Sequence, residues 1–239
     1  MEGKLGAVAH PLTICESRAA AARLVAGMAA DALSADIAAR GRASLLVSGG
    51  STPQETFEVL SGAPIAWQRV TAGLVDERWV APDHAESNER LVRIHLLKER
   101  ASQAAFVPMW IAADDIEAAA VDRDLAYRPL CEAASFVLLG MGTDGHVASW
   151  FPGMAELDAV ISPPGGKCVM AIEAEAAVTP LRLTLTGPAV FNAKQAVLLI
   201  FGDGKRKVLE AARGAEPAAC PVRYVLDAMD DRLKIVWAE

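Results

Sequence analysis

Apolar positions along this chain follow two alternating rhythms. Over residues 16–40 alanine, leucine and valine fall at helical spacing, and the pattern stops before Gly41, which predicts one long helix. Residues 43–47 form a short unbroken apolar run, the pattern of a buried strand, and Ser48-Gly49-Gly50-Ser51-Thr52 interrupts it. Thr52-Pro53-Gln54-Glu55 then has the form of a helix start, with Thr52 as N-cap, Pro53 at the first helical position and Glu55 closing a capping box. The unit reads as strand, glycine loop, helix.

The same grammar recurs downstream. Strands are predicted over residues 70–75, 136–139, 168–172, 181–185, 195–201 and 233–237. Helices are predicted over 88–98 with Ser87 as cap, over 114–132 with Pro129 bending or ending it, and over 205–213 after a Gly202-Asp203-Gly204 turn. Strands alternating with helices predict an α/β fold: an open, mainly parallel, Rossmann-like sheet flanked by helices, with residues 1–239 as one domain. Residues 152–166 are rich in Pro and Gly but too short to link two domains, and no internal repeat is visible. In folds of this class ligands bind where strands end and loops lead into helices. Three glycine-containing loops stand at such places.

Composition narrows the classes of function. A chain of 239 residues suits one domain, and at this size roughly 70–75% of the unfolded surface is buried. Hydrophobic residues at 53% and charged residues at 22% exclude a disordered chain. Thirty acidic against 23 basic residues give a net charge of −7, so there is no bulk attraction to nucleic acid or to an anionic membrane. An anion can be held only in a local basic pocket. The longest apolar runs, such as residues 196–201, fall far short of the ~20 residues of a membrane helix, and the N-terminus carries no secretory pattern. Cys15, Cys131, Cys168 and Cys220 form no CxxC motif and read as reduced core thiols, in keeping with a cytoplasmic chain.

The candidate chemistry sits in the loops. Glycines in Ser48 to Thr52 let a backbone approach a ligand, and the helix after it offers free N–H groups and a positive dipole end. The loop is not a Walker motif, because no Gly-Lys-Ser/Thr follows. Gly140-Met141-Gly142-Thr143-Asp144-Gly145 fits G-x-G-x-x-G, but Pro152 and Gly153 leave no room for the helix a dinucleotide site needs, and the acidic residue further on is missing. Instead His146 follows at once, with Asp144 two residues before it. Imidazole can take a proton from water near neutrality, and a neighbouring carboxylate can hold its tautomer. A capping aspartate beside a packed histidine is the competing reading.

Asp76-Glu77-Arg78 follows a strand and is either a solvated turn or an anion clamp beside carboxylates that bind hydroxyls. Arg182 opens a strand. Lys205 at a helix N-terminus is unfavourable alone, and an anion held there would offset that. His10, His84 and His95 have no such setting. There is no G-x-S-x-G elbow, no H-E-x-x-H motif and no cysteine cluster, so a catalytic transition metal is not expected.

Together these segments resemble the 6-phosphogluconolactonase family. The relevant stretches are Ser48-Gly49-Gly50-Ser51-Thr52-Pro53, Val75-Asp76-Glu77-Arg78-Trp79-Val80 and Glu86-Ser87-Asn88, then residues 140–153 and Arg182-Leu183-Thr184-Leu185-Thr186. The resemblance implies an open α/β sheet, no cofactor, no metal, and hydrolysis of a phosphorylated sugar lactone in the pentose phosphate pathway. By position, His146 looks like the catalytic base with Asp144 beside it. Ser48, Gly49, Gly50, Ser51, Thr52, Asp76, Glu77, Arg78, Gly142, Arg182 and Lys205 look like substrate contacts. Trp150 departs from the leucine common in the family, and Lys207 competes with Lys205 for the phosphate. Two rivals share this grammar. An amino-sugar phosphate deaminase or isomerase would carry a glutamate shortly after the histidine, where this chain has Ser149-Trp150-Phe151-Pro152. A non-catalytic sugar-phosphate sensor would keep the anion loop without needing Asp144 or His146. Oligomeric state is not legible.

Overall fold

Ser17, in extended conformation, accepts the N–H of Ala20, and Gly41, at φ 73°, returns its own N–H to Ile37. These two caps bound the long helix α1 (Arg18–Arg40), which follows a short strand β1 (Leu12–Ile14). Its alanine-rich face, with Val25 and Leu33, is buried. The computed structural model describes residues 10–174 and 178–239. Next come β2 (Ala43–Val47), α2 (Gln54–Ser61), β3 (Val70–Leu74), β4 (Asp76–Arg78), α3 (Asn88–His95), β5 (Ala105–Phe106) and α4 (Ile116–Cys131). The second half holds β6 (Phe136–Leu139), α5 (Leu157–Ile161), β7 (Val169–Glu173), β8 (Leu181–Leu185), α6 (Gly187–Phe191), β9 (Ala196–Phe201), α7 (Asp203–Ala212), α8 (Val222–Ala228) and β10 (Leu233–Ala238).

Seven strands form a wholly parallel sheet in the order β1-β10-β9-β6-β2-β3-β5. The α/β fold with a mainly parallel sheet that the sequence predicts is the fold observed. Strands β2, β6 and β9 are buried along nearly their whole length, which is why they read as unbroken apolar runs. From β2 the chain first adds strands on one side (β3, β5) and later on the other (β6, β9, β10). The order therefore reverses between β2 and β6, and two glycine loops leave the sheet there side by side. Ser48 N–H donates to Leu138 O at 2.9 Å, and Gly140 N–H donates to the Ser48 hydroxyl at 3.4 Å.

Several local expectations are corrected. Residues 168–172 and 181–185 do form strands, but β7 and β8 belong to a separate antiparallel sheet, β4-β8-β7. Asp76–Arg78 is a strand of that sheet, not a polar turn. Helix α2 begins at Gln54, and the capping box does not form. Phe57 N–H takes the Pro53 carbonyl, so Pro53 holds the cap position and Thr52 stays outside the helix, free to face the cleft. Helix α3 starts at the Ser87 cap as expected but ends at His95 rather than 98. Pro129 lies inside the last turn of α4, where its missing N–H costs one bond. Residues 152–166, rich in Pro and Gly, contain the short helix α5. Among the described residues no helix is long and apolar enough to cross a membrane.

Candidate active site

A cleft of about 260 Å³ opens at the point where the strand order reverses, the place where open α/β sheets bind ligands. Its walls come from five separate segments: Ser48 to Thr52, Asp76 to Asn88, Gly140 to Ala148, Arg182 on β8 and Lys205 on α7. A larger hollow of about 570 Å³ lies elsewhere, between α4 and β7, and holds none of these loops.

The floor is backbone. The N–H groups of Gly49, Gly50, Ser51 and Thr52 make no backbone hydrogen bond among the described residues, so the loop presents unused donors ahead of α2. Glycine is required at two positions by close approach. A Cβ on Gly49 would lie 1.9 Å from Asn88 Oδ1, and one on Gly142 would lie 2.2 Å from the His146 ring. The second packing holds the imidazole directly over its own loop.

His146 Nδ1 is 2.6 Å from Asp144 Oδ1, which also accepts the His146 N–H at 3.1 Å. Burial alone would lift the Asp144 carboxyl, but the bonds and charge of His146 hold it below the usual carboxylate range. At neutral pH it is therefore ionised and fixes the proton of the ring on Nδ1, leaving Nε2 to accept. Phe151 packs against the ring with centroids 4.5 Å apart, and its own ring lies 5.2 Å beneath the Arg182 guanidinium. One aromatic thus packs against both the imidazole and the guanidinium.

Three cations converge on the cleft. Arg78 Nε is buried with no hydrogen-bond partner among the described residues, an unspent donor. Arg182 is 8% exposed, and burial draws it below the ordinary arginine range. Burial does the same to the half-buried Lys205. Such desolvation is offset when an anion enters. Opposite them, Asp76 is buried and held by the Ser149 hydroxyl (2.6 Å) and by the Asn88 amide (3.3 Å), with Arg182 at 3.8 Å.

The sequence-derived residues divide cleanly. Ser48, Gly49, Gly50, Ser51, Thr52, Asp76, Arg78, Gly142, His146, Arg182 and Lys205 all line the cleft, while Asp144 stands behind His146. Lys207 is exposed on α7 and is not in the wall. Glu77 is turned away. It is 1% exposed and accepts the N–H groups of Asn88 (2.8 Å) and Glu89 (2.7 Å) and the Ser87 hydroxyl (3.0 Å), so it anchors the start of α3. Sequence reasoning missed Asn88, Gly140, Met141 and Ala148 as wall residues. Asn88 follows a cap residue and its role is set by the distant Gly49. Ala148 takes φ 51° in the tight turn after His146, a strained backbone that no residue type announces. Trp150 is fully buried and donates to Leu185 O at 2.8 Å. No group of three or more His, Cys, Asp or Glu among the described residues is arranged to hold a metal.

Residues 16–237 match the family described as glucosamine-6-phosphate isomerases/6-phosphogluconolactonase. A 6-phosphogluconolactonase of Rhizobium meliloti is 44% identical over 226 residues, covering 94% of this chain and 97% of the relative. A crystal structure of a 6-phosphogluconolactonase from Shewanella baltica superposes with a TM-score of 0.93 at 35% identity, covering 98% of this chain and all of the other. A monomeric glucosamine-6-phosphate deaminase gives a TM-score of 0.78 at 17% identity, a likeness of fold alone.

Proposed function

The chain belongs to the glucosamine-6-phosphate isomerase/6-phosphogluconolactonase family, and from that membership we propose that it hydrolyses 6-phospho-D-glucono-1,5-lactone to 6-phosphogluconate. The observation that carries the reading is the His146–Asp144 pair set beside a cleft lined with unpaired donors and three cations. The phosphate docks on the N–H groups of Gly49 to Thr52 with Lys205 and the arginines, which fixes the lactone carbonyl near His146. His146 Nε2 takes a proton from water as the water oxygen attacks the carbonyl carbon. The tetrahedral oxyanion forms among the surrounding donors and collapses. The bond to the ring oxygen breaks, and the imidazolium returns its proton to that oxygen. General-base assistance supplies about 10²–10⁴ in rate, which suffices for a reactive ester.

Deamination of an amino-sugar phosphate shares this fold, yet the place after His146 disfavours it. Ser149 there is fully buried and spends its hydroxyl on Asp76, so no carboxylate reaches the sugar ring from that turn. A soluble, cytoplasmic enzyme that works without a metal is part of the same proposal. The test is hydrolysis of lactone generated in situ, with excess chelator and with spontaneous opening subtracted. Fast turnover by the wild type and a near-background rate for folded His146→Ala support the reading. An inactive wild type overturns the activity, and an active variant overturns the base.

A further inference from the structure

The mechanism above leaves the turn after His146 without a task, yet this turn carries strain. Ala148 takes φ 51° there, a left-handed backbone that costs free energy in any residue but glycine. The turn closes through Trp150 N–H, which donates to Val147 O at 2.9 Å. Residues 149 and 150 are then tied to β8. Ser149 N–H donates to Thr184 Oγ1 at 3.2 Å, and the Trp150 indole N–H donates to Leu185 O at 2.8 Å. Trp150 also meets Phe191 edge-on, with centroids 5.7 Å apart. Phe151 follows directly on this anchor and gives its own N–H to Met154 Sδ at 3.2 Å. Its place is therefore set by β8, the strand that carries Arg182.

The half-buried Phe151 ring makes two contacts from this place. Its centroid lies 4.5 Å from that of the His146 ring, with the planes inclined by 38°, and 5.2 Å from Arg182 Cζ. Hydrogen bonds hold each of these groups only at one edge. Asp144 holds the imidazole at Nδ1 (2.6 Å), which leaves rotation about that bond. Arg182 Nε donates to Thr179 O at 3.2 Å, while Asp76 Oδ2 stands 3.8 Å from Nη1, outside hydrogen-bond distance. A flat aromatic contact restrains what those bonds leave free, the tilt of the imidazole and the plane of the guanidinium. A cation over an aromatic face is also attracted to it.

We propose that Phe151 is a positioning residue: its ring fixes the imidazole of His146 and the guanidinium of Arg182 relative to each other, so that proton acceptor and anion-binding cation meet one substrate together. The kinetic consequence rests on the lactonase reading, and the geometric one does not. Phe151 is absent from the cleft wall, so it acts through the two groups it packs against. Misplacing a reacting group by about 1 Å costs up to about 10²-fold in rate. Losing a cation–π contact corresponds to about 2–30-fold in affinity.

The experiment compares the wild type with Phe151→Leu, which keeps apolar bulk, and Phe151→Tyr, which keeps the ring, each checked for native circular dichroism. Phe151→Leu should lower kcat by about 10–100-fold. It should also weaken binding of 6-phosphogluconate about 2–30-fold in calorimetry. Phe151→Tyr should stay within about threefold of the wild type in both. In an Arg182→Ala background Phe151→Leu should leave the affinity unchanged, a coupling that loosened packing elsewhere does not produce. In the ligand-free protein, NMR of ¹³C-labelled imidazole should show one narrow His146 Hε1 signal in the wild type and a broadened or doubled one in Phe151→Leu. The proposal is overturned if Phe151→Leu keeps kcat and affinity within twofold, if Phe151→Tyr is as weak as Phe151→Leu, or if the affinity loss persists without Arg182. It also falls if the His146 signal stays narrow in Phe151→Leu. That last reading needs neither turnover nor ligand, so a wild type that leaves the lactone intact would sink the assigned activity while the inference about Phe151 is still decided.

Discussion

Asp144 accepts two hydrogen bonds from a single neighbour, the Nδ1 proton of His146 at 2.6 Å and its backbone N–H at 3.1 Å. The pair is therefore built by one turn and needs no distant element to assemble it. In the proposed mechanism its carboxylate sets the ring tautomer and steadies the imidazolium formed by proton transfer. Asp144→Asn should keep the fold and lower kcat by about 10–10³-fold, with KM little changed. Steady-state kinetics decide this: a raised KM at unchanged kcat would assign Asp144 to binding.

Gly49 admits no side chain. A methyl there would collide with Asn88 Oδ1, and Asn88 holds Asp76 through bonds of 2.8 and 3.3 Å. Gly49→Ala is expected to lower kcat/KM at least tenfold and to destabilise by about 1–3 kcal/mol. Gly204→Ala is the control, because its methyl meets nothing within 4 Å. Equal behaviour of the two variants, in chemical denaturation and in turnover, would show that the loop adjusts.

Lys205 and Lys207 stand two residues apart on α7, and only the first lines the cleft. Removing one charge-assisted contact of roughly 1.5–3 kcal/mol corresponds to about 10–150-fold in binding. Lys205→Ala should raise KM for the phosphorylated lactone within that range, while Lys207→Ala stays within about twofold of wild type. The reverse order in a pair of saturation curves would move the phosphate along the helix.

Glu77 ties folding to pH. Burial pushes its carboxyl up to about 7 from an ordinary 4.5, although four donors to its oxygens pull the other way. The native state then binds more protons than the unfolded chain between those two values. The contribution is fully present below the lower value and is lost as pH rises through the upper one, a fall of roughly 3 kcal/mol at most. Urea midpoints at pH 5 and pH 8 should drop accordingly in the wild type and stay level in Glu77→Gln. A wild-type midpoint that rises instead would mean the donors outweigh burial.

The sequence exposes what one segment decides for itself. The runs that became β2, β6 and β9 are apolar because both sheet faces are covered, and α1 is bounded by its own Ser17 and Gly41. The His146 turn was legible because Asp144, Gly145 and His146 are adjacent. What stayed hidden depends on partners remote in the chain. Asp76 to Arg78 looks like a solvated turn until β8 pairs with it, and Glu77 looks like a ligand until α3 places two N–H groups on it. Thr52 fits a capping box by spacing, but Pro53 takes the cap. The short β1 and β5 and helices α5, α6 and α8 carry too few residues for any periodicity to register.

Strand β1 has one neighbour in the sheet, β10, with Leu12 opposite Ile235 and Ile14 opposite Trp237. The first described strand thus takes its ladder hydrogen bonds from the last one. Every nascent chain thus carries an open edge at β9 and an idle β1 until β10 arrives to fill the space between them. Loss of β10 would therefore leave two defects at once, an unpaired β1 and an open edge along β9.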